Sequence, residues 1–460
     1  GGSPRPVRPP RGPSLYIARS KYLVSYVETA KRLFLETGTR FPRRVIWAMG
    51  LLKRAAAVAN AELGLLERRK AEAIADVANL LAEGTYDAEI TVDVFQTGSG
   101  TGLNMNVNEV IARHVASELG VAVHPNDDVN LCQSSNDVVP SAVRIAAVAT
   151  YVEELRPELG RLIALLSKKS EEYKHVVKAG RTHLRDALPV TLGQELSGFA
   201  DALARDLSAL DHTAELAKRL PIGGTAVGTG VNAHPRFGQL VVDLLNEWTK
   251  LGFERGNPFA GMKLLTDLLL FSGAVRALAV DMLRLGQDLR LMFSGPFTGL
   301  GEVDIPSQEE LPGSSIMPGK TNPVTVEAVM QATAYVLGLD KSIEWGASLG
   351  ELELGMGIPL VGYSVVLEEL IVAEALRKLA DRVVPYVRPN AERMRAQAER
   401  SAALITLLAP AIGYDKAVEL GKRLREGASI RDVLEELGLS KAEIDRLLDL
   451  DKMVEGGFRT

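Results

Sequence analysis

The sequence lacks the features that would place it among disulfide-bonded, metal-binding or nucleic-acid-binding proteins. Its 460 residues include one cysteine, Cys132, which excludes an intramolecular disulfide framework and any CxxC-type metal site. The 53 basic and 58 acidic residues nearly balance, giving a formal charge of −5. A chain with this balance has no excess positive charge to attract nucleic acid or an anionic membrane, so we expect neither as a partner.

Long hydrophobic runs are also missing. Asp and Arg residues interrupt the Leu- and Val-rich stretch from Leu264 to Leu291, and no apolar run reaches the roughly 18–20 residues that span a bilayer. The first residues contain no apolar core typical of a signal peptide. These absences predict a cytoplasmic protein.

Several well-known catalytic motifs are absent too. The sequence contains no HExxH zinc motif, no Walker loop and no GxSxG nucleophile elbow. No spacing of His, Asp and Glu residues is typical of a metal site. The sequence therefore predicts neither a metal nor a cofactor.

What the sequence does have is helical periodicity. Apolar residues make up 46% of the chain and recur three and four positions apart over long stretches. Single cores stop growing at roughly 250–300 residues, so we expect two or three domains. We predict a mainly α fold with an N-terminal helical domain over residues 1–136, a central bundle of long helices over 137–388 and a small C-terminal helical domain over 389–460.

The predicted helices leave little room for strands, for which Val121–Val123 and Val303–Ile305 are the two candidates. A Pro- and Arg-rich tail precedes a helix predicted over residues 15–35. The runs over 262–293 and 359–384 are apolar around much of their circumference, and such helices must be buried on several sides. One subunit cannot easily cover them, so we predict an oligomeric bundle. The other long helical runs are predicted over residues 138–175, 190–219, 236–252 and 323–340.

Four polar loops between the helices carry most of the hydroxyl, amide and imidazole groups. The first, Thr97–Asn106, is rich in glycine, which lets a backbone approach an anion closely. It could equally be an ordinary turn with capping hydroxyls. The second runs from His124 and ends in Ser134, Ser135 and Asn136, where a long helix begins. These three could cap that helix or could present neutral hydrogen bonders to a carboxylate, and the sequence alone leaves both roles open.

The third loop, Gly180–Asp186, holds His183. A lone histidine is more often structural, but the unperturbed pKa of histidine, about 6.5, suits proton transfer at neutral pH. The fourth loop, Gly313–Pro323, places two adjacent serines between glycine and proline residues, and a flexible turn is its alternative interpretation. Glu327 follows on the first turns of the next helix and could orient an imidazole. Together these groups favour a small anionic substrate and proton-transfer chemistry.

The string Gly313–Pro323 resembles the signature loop of the fumarase/aspartase superfamily, in particular that of the class II fumarases. The other three loops, and the string Gly223–Asn232, are similar to further regions that define this family. The resemblance implies a mainly α, three-domain subunit in a homotetramer, in which each active site draws residues from three subunits. It also implies reversible hydration of fumarate to L-malate through an aci-carboxylate intermediate.

The same resemblance assigns roles to individual residues. Ser314 matches the proposed base, and His183, held by Glu327, matches the histidine that acts through a water at the substrate hydroxyl. Nine further residues match positions that hold the substrate: Ser99, Thr101, Ser134, Ser135, Asn136, Thr182, Ser315, Lys320 and Asn322.

Three residues, His124, Asn126 and Asp127, match the family's second, peripheral carboxylate-binding site. Val121 stands where that site has a basic residue. We therefore expect any binding there to be weak.

Two other functions have to be weighed against hydration of fumarate. Aspartate ammonia-lyase shares the fold and the serine loop, but it usually carries Gln in place of His183 and Thr in place of Ser135. A catalytically silent binding or structural protein on the same scaffold would be expected to lose at least one of the proposed catalytic groups or Lys320. All of them are present, so fumarate hydration is the function that the sequence predicts.

Overall fold

The computed structural model describes residues 25–457, and helices account for most of them. The prediction of a mainly α fold is confirmed. Among residues 25–457 no helix is both long enough and apolar enough to cross a membrane. The predicted N-terminal tail lies outside the described residues, and the described part of the helix predicted over 15–35 forms a short helix, Tyr26–Lys31.

The helices follow one another through mostly short connections. In chain order they are α1 (Tyr26–Lys31), α2 (Arg43–Glu62), α3 (Arg68–Glu83), α4 (Thr101–Leu119), α5 (Ser135–Thr150), α6 (Arg156–Glu172), α7 (Leu192–Leu216), α8 (Phe237–Thr249), α9 (Pro258–Gly261), α10 (Thr266–Met292), α11 (Val324–Ser348), α12 (Ile358–Lys378), α13 (Ala391–Glu399), α14 (Leu404–Ile412), α15 (Tyr414–Arg425), α16 (Ile430–Glu436), α17 (Lys441–Leu447) and α18 (Leu450–Met453).

The strands are short and pair two by two. They are β1 (Val177–Thr182), β2 (Arg185–Thr191), β3 (Arg219–Leu220), β4 (Glu254–Arg255), β5 (Val303–Asp304), β6 (Gly350–Glu351), β7 (Leu354–Gly355) and β8 (Arg388–Pro389). Strands β1 and β2, β5 and β8, and β6 and β7 pair antiparallel, whereas β3 and β4 pair parallel. The strand predicted at Val303–Ile305 is present as β5, but Val121–Val123 forms no strand.

The chain divides into two compact units. The first contains the described residues up to Ala146 together with Arg219–Leu265 and Gly346–Tyr363. The second contains Ala147–Lys218, Thr266–Trp345 and the described residues from Ser364 onward. The three domains predicted with boundaries at residues 136 and 388 stay a prediction.

In the first unit, helices α2 and α3 pack backbone against backbone. A Cβ atom on Gly50 of α2 would lie 2.7 Å from the backbone nitrogen of Ala82 and 2.8 Å from the carbonyl oxygen of Ala78. Only glycine allows this approach. The small side chains of both helices therefore set the position of α2, which carries a buried lysine described below.

In the second unit, the hairpin β1–β2 replaces the polar loop and helix ends that the sequence predicts around residues 177–191. His183 and Leu184 form its two-residue turn, with φ of 56° and 57°. Turns with two positive φ values usually contain Asn-Gly or Asp-Gly, so the sequence carries no ordinary hairpin signal here. That is why periodicity and composition missed the hairpin.

The hairpin rests on the C-terminal helices of the same unit. Val177 and Ala179 of β1 belong to one buried apolar cluster with Leu404, Leu420 and Val433. Ser401 donates a hydrogen bond to the carbonyl of Ala187 at 3.0 Å. This packing fixes the base of the hairpin and leaves its tip exposed.

Candidate active site

Three of the predicted substrate-holding hydroxyls meet in the first unit. Thr101 Oγ1 lies 2.8 Å from Ser99 Oγ and 2.8 Å from Ser135 Oγ. Thr101 begins α4 and Ser135 begins α5. The first N–H groups of a helix have no partner within it, so two helix ends and three hydroxyls together offer donors to an anion.

The glycines of this loop approach protein rather than open space. A Cβ atom on Gly98 would lie 2.2 Å from the carbonyl oxygen of Met356, and one on Gly100 would lie 2.6 Å from Val139 Cγ1. Gly100 also has a φ of 82°, which favours glycine. These close contacts hold Ser99 and Thr101 against the start of α5.

Ser134 and Asn136 are committed to local bonds. Ser134 Oγ accepts the N–H of Asn136 at 3.2 Å, as a capping hydroxyl does, and Asn136 Nδ2 donates to the carbonyl of Ala226 at 2.8 Å. The second bond ties the start of α5 to the string Gly223–Asn232. The structure thus brings together, in one unit, the loop Thr97–Asn106, the loop that ends in Asn136 and the string Gly223–Asn232.

Asp137 joins these segments, although the sequence analysis gave it no role. Its carboxylate is buried and accepts the N–H groups of Ser134 at 2.9 Å, Gly223 at 2.9 Å and Thr225 at 3.1 Å. Burial raises the pKa of Asp137 to about 6, against the effect of these backbone donors. Its place directly after Ser-Ser-Asn was the one available signal.

A second buried charge, Lys53 on α2, was also missed. Its Nζ donates to Asn104 Oδ1 at 2.8 Å, Gln133 Oε1 at 2.9 Å and Asn130 Oδ1 at 3.0 Å. Burial lowers the pKa of Lys53 to about 7, although the charge of Asp137 opposes that shift. A lysine within a run such as Lys-Arg-Ala-Ala-Ala predicts a solvated helix face, so no sequence pattern indicated a place in the core for Lys53.

In the second unit, the hairpin turn presents His183 to solvent. Thr182, the last residue of β1, is exposed beside it. Among the described residues no hydrogen bond restrains the imidazole of His183 within one chain. The strained turn therefore fixes the backbone and leaves both ring nitrogens available for a ligand or for another subunit.

Buried ion pairs hold the strand that leads to His183. Glu302 is fully buried, with Oε2 2.8 Å from Lys178 Nζ and Oε1 2.6 Å from Arg181 Nη1. Lys178 also pairs with Glu195 at 2.9 Å. Lys178 and Arg181 are both on β1, so these ion pairs fix the strand.

The serine loop folds back on itself. Ser314 Oγ accepts the N–H of Met317 at 3.1 Å and the N–H of Ile316 at 3.3 Å. Asn322 Nδ2 donates to the carbonyl of Gly313 at 2.7 Å, which closes the base of the loop. Lys320 and Ser315 are exposed, as are the apolar side chains of Ile316 and Met317.

Glu327 has a different partner from the one the resemblance implies. Its Oε1 accepts a hydrogen bond from Arg290 Nε at 3.1 Å, and within the part of the chain that the structure describes no bond joins Glu327 to His183. The role of Glu327 in holding His183 stays a prediction.

The three residues of the predicted second carboxylate site form one turn, Pro125–Val129, with its preceding cap. His124 Nδ1 accepts the N–H groups of Asn126 at 3.2 Å and Asp127 at 3.1 Å. The backbone N–H of His124 donates to Asp128 at 2.7 Å, and Asp128 pairs with Lys70 at 3.1 Å. The turn is thus stabilised from within, with His124 acting as its cap.

The described part of the chain contains no cluster of side chains arranged as a metal-binding site. No group of three or more His, Cys, Asp or Glu side chains among residues 25–457 is arranged to hold a metal ion. The predicted substrate-holding residues and His183 offer hydroxyls, amides, the exposed ammonium group of Lys320 and an exposed imidazole.

Comparison with known proteins assigns the chain to a family. Residues 25–338 match the family described as lyase, and residues 404–455 match the fumarase C C-terminus. The chain is 57% identical to a class II fumarate hydratase of Saccharolobus solfataricus over 95% of this chain and 99% of that protein. It is 43% identical to a class II fumarate hydratase of Mycobacterium tuberculosis over 91% of this chain and 90% of the other.

Solved structures give the same assignment. The crystal structure of recombinant class II fumarase from Schistosoma mansoni superposes with a TM-score of 0.87 at 32% identity, covering 93% of this chain and 94% of that one. A fumarate lyase:delta crystallin from Brucella melitensis also gives 0.87, at 37% identity over 93% and 95% of the two chains. The chain therefore belongs to the class II fumarate hydratase family of lyases.

Proposed function

We propose that the protein catalyses the reversible hydration of fumarate to L-malate, as a cytoplasmic enzyme of the citric acid cycle. The observation that carries this proposal is the 57% sequence identity between this chain and a class II fumarate hydratase, which extends over nearly the whole of both chains. His183 and Ser135 support it further, since both follow the fumarase rather than the aspartase pattern.

The reaction requires a site that stabilises the negative charge that develops on a substrate carboxylate. In the direction from malate, a base removes a proton from the carbon next to a carboxylate, and the electron pair moves onto that carboxylate. The resulting aci-carboxylate then expels the hydroxyl group, which leaves as water after receiving a proton from an acid. Each preorganised donor at the carboxylate supplies about 3 kcal/mol of transition-state stabilisation.

Ser314 is the proposed base. A serine hydroxyl is a weak base unless its deprotonated form is stabilised, and two backbone N–H groups already point at its Oγ. These donors act on an alkoxide as an oxyanion hole does. The exposed Ile316 and Met317 would become buried when the loop closes on the substrate, which would exclude water from the site.

His183 is the proposed group at the hydroxyl end, acting through a water molecule. A carboxylate beside an imidazole fixes its tautomer and raises its basicity. We assign that part to Glu327 of a different subunit, because Glu327 bonds to Arg290 within its own chain. His183 of one subunit and the Ser314 loop of another then belong to the same active site.

The substrate is held by neutral donors and one cation. The hydroxyls of Ser99, Thr101 and Ser135 form a single cluster that can donate to one carboxylate. Lys320 supplies a mobile ammonium group, and charge-assisted hydrogen bonds are about twice as strong as neutral ones. The remaining substrate-holding positions are Ser134, Asn136, Thr182, Ser315 and Asn322.

A homotetramer is proposed to complete the sites. Helix α10 keeps Leu270, Val280 and Leu291 exposed, and α11 keeps Tyr335 and Trp345 exposed. Three exposed apolar side chains that lie within an arc of about 80° on a helix favour burial against another subunit. Active sites that draw residues from three subunits would follow from such an assembly.

The proposal is tested by following fumarate in the ultraviolet while purified protein is incubated with L-malate and, separately, with L-aspartate. Fumarate should form from malate and not from aspartate. Formation from aspartate alone would identify an ammonia-lyase instead, and no reaction with either would favour the catalytically silent alternative.

A variant tests the role of His183. His183→Asn should lose most of the turnover while the tetramer persists, as judged by its sedimentation. His175→Asn is the matched control, because His175 is exposed in the turn that precedes β1 of the same hairpin. Normal turnover of His183→Asn would contradict the assigned role.

A further inference from the structure

The environment of Lys53 fits an ammonium group. Three amide oxygens converge on its Nζ, and their orientation is fixed by other bonds. Gln133 Nε2 donates to the carbonyls of Val129 at 3.1 Å and Leu131 at 3.0 Å, so its Oε1 must face Lys53. Asn130 Nδ2 donates to the carbonyl of Gln133 at 3.2 Å, so its Oδ1 must do the same. Three acceptors match the three donors of a lysine cation, whereas a neutral amine would leave one acceptor facing a lone pair.

This cation joins the two segments that carry the substrate-holding hydroxyls. Asn104 is on α4, the helix that Thr101 begins. Gln133 directly precedes Ser134 and Ser135. This buried side chain therefore links the Ser99–Thr101 turn to the start of α5, in addition to the direct bond between Thr101 and Ser135.

Within residues 25–457, no carboxylate bonds directly to this charge. All three groups bonded to Lys53 are neutral amides. Asp137 influences it through space only, and its carboxylate is already occupied by three backbone N–H groups. A buried cation without a bonded counter-ion is costly to desolvate, and the three amide oxygens offset only part of that cost. An apolar side chain would remove the charge but would leave those oxygens without this donor. The lysine therefore satisfies the polar network, while its positive charge stays uncompensated by any bonded carboxylate.

We propose that Lys53 is a positioning residue for one carboxylate of the substrate: it holds the two hydroxyl-bearing segments together and supplies positive charge beneath a binding site whose own donors are neutral. This inference rests on the proposed function, because it takes the Ser99, Thr101 and Ser135 cluster as the place where a dicarboxylate binds. A unit charge about 10 Å from a carboxylate, at an effective dielectric constant of about 20, changes its binding constant by about ten-fold.

The test compares Lys53→Met with the native enzyme. Methionine keeps the length of the side chain and removes its charge and donors. The KM for L-malate should rise about ten-fold, which is the effect estimated above for the binding of a carboxylate. The inhibition constant of succinate, a dicarboxylate that cannot react, should rise in parallel. The kcat should change much less than KM. An unchanged inhibition constant for succinate would overturn the proposal.

Asn60→Leu is the matched control for a merely structural effect. Asn60 is buried on the same helix, and its Nδ2 donates to the carbonyl of Leu131 at 3.0 Å, so it supports the same loop without charge. Asn60→Leu should lower the thermal midpoint while leaving KM nearly unchanged. If it raises KM as much as Lys53→Met does at an equal loss of stability, the role of Lys53 is structural only.

A pH series that compares the native enzyme with Lys53→Gln gives a second readout, which does not need Lys53→Met. Affinity for succinate should weaken as the pH rises through and above about 7, where the free enzyme loses the Lys53 proton. Asp137, whose charge acts on Lys53, and the buried Cys132 are titratable groups of the same unit, and burial raises the pKa of each. Ionisation of either would also weaken the binding of succinate, so the slope should become smaller in Lys53→Gln by the share that Lys53 contributes. An equal slope in the native enzyme and in Lys53→Gln would overturn the proposal.

The outcomes separate this inference from the proposed function. A native enzyme that does not act on malate overturns the proposed function. A native enzyme that acts on malate, with an unchanged KM in Lys53→Met, overturns only the role of Lys53.

Discussion

Glu302→Gln is the substitution whose effect can be worked out most fully from the structure. The Glu302 carboxylate is fully buried and pairs with Lys178 and Arg181 of β1, the strand that leads to His183. Glutamine has the same shape, but it removes the charge and turns an amide N–H₂ toward one of the two cations. Both cations then remain inside the protein with less compensation.

The size of the stability loss depends on how well Lys178 and Arg181 remain compensated once the Glu302 charge is gone. Removing one partner of a buried ion pair costs about 3–5 kcal/mol. Lys178 keeps Glu195 at 2.9 Å, and the Arg181 side chain is 18% exposed, so the lower end applies. We expect a loss of about 3 kcal/mol in the free energy of unfolding. Because β1 positions Thr182 and the turn at His183, a shift of about 1 Å would lower kcat/KM by about 100-fold.

The assay combines denaturant unfolding at fixed protein concentration with the fumarate absorbance measurement. Glu435→Gln is the control, since Glu435 is an exposed carboxylate on α16. The double variant Glu302→Gln/Lys178→Met should be less destabilised than the sum of the single variants, by about 1–3 kcal/mol, because it removes two opposite charges together. Additive single effects, or a Glu302→Gln variant with native stability and turnover, would refute the role of this network.

Two further predictions concern stability. Gly50→Ala should cost about 1–3 kcal/mol in unfolding free energy, because its Cβ meets the backbone of α3; Gly160→Ala on α6, where no atom lies within 4 Å of the added Cβ, should not destabilise the protein. Asp206 on α7 has its pKa raised to about 7 by burial and by the neighbouring Asp281. Its folded-state pKa exceeds the unfolded value, so the stability it contributes is lost as the pH rises toward 7. As the pH rises toward 7, the thermal midpoint of the native protein should fall more than that of Asp206→Asn. Equal slopes of thermal midpoint against pH in the two proteins would contradict the assignment.

Much of the architecture could be predicted because it follows from local pattern. Apolar residues three and four positions apart predict the long helices, and α10 at Thr266–Met292 falls within the run predicted over 262–293. The predicted run over 138–175 covers most of α5 and all of α6, which are joined by a π-helical turn at Tyr151–Leu155. Such interruptions depend on tertiary packing and leave no mark on the periodicity.

The candidate site was predictable only in part, since its substrate-holding groups and its supporting groups obey different rules. Ser99, Thr101 and Ser135 could be named from their loops, and the structure brings them together. The charges beneath them could not be found in the same way. Lys53 is placed in the core by helix packing and by amides distant in sequence, and no property of its own helix requires that.

The central claim is that His183 and Ser314 of different subunits serve one catalytic site. The direct test mixes two inactive variants, His183→Asn and Ser314→Ala, dissociates them and lets them reassociate. In hybrids, some sites combine the intact His183 of one subunit with the intact Ser314 of another.

Random reassembly of equal amounts would restore about a quarter of the sites, because each site needs one subunit of each kind in the right position. Recovery of hydratase activity toward that level is the result we predict. If each variant is inactive alone and the reassembled mixture stays inactive although hybrid oligomers form, both residues must act from the same chain, and the account of the site is wrong.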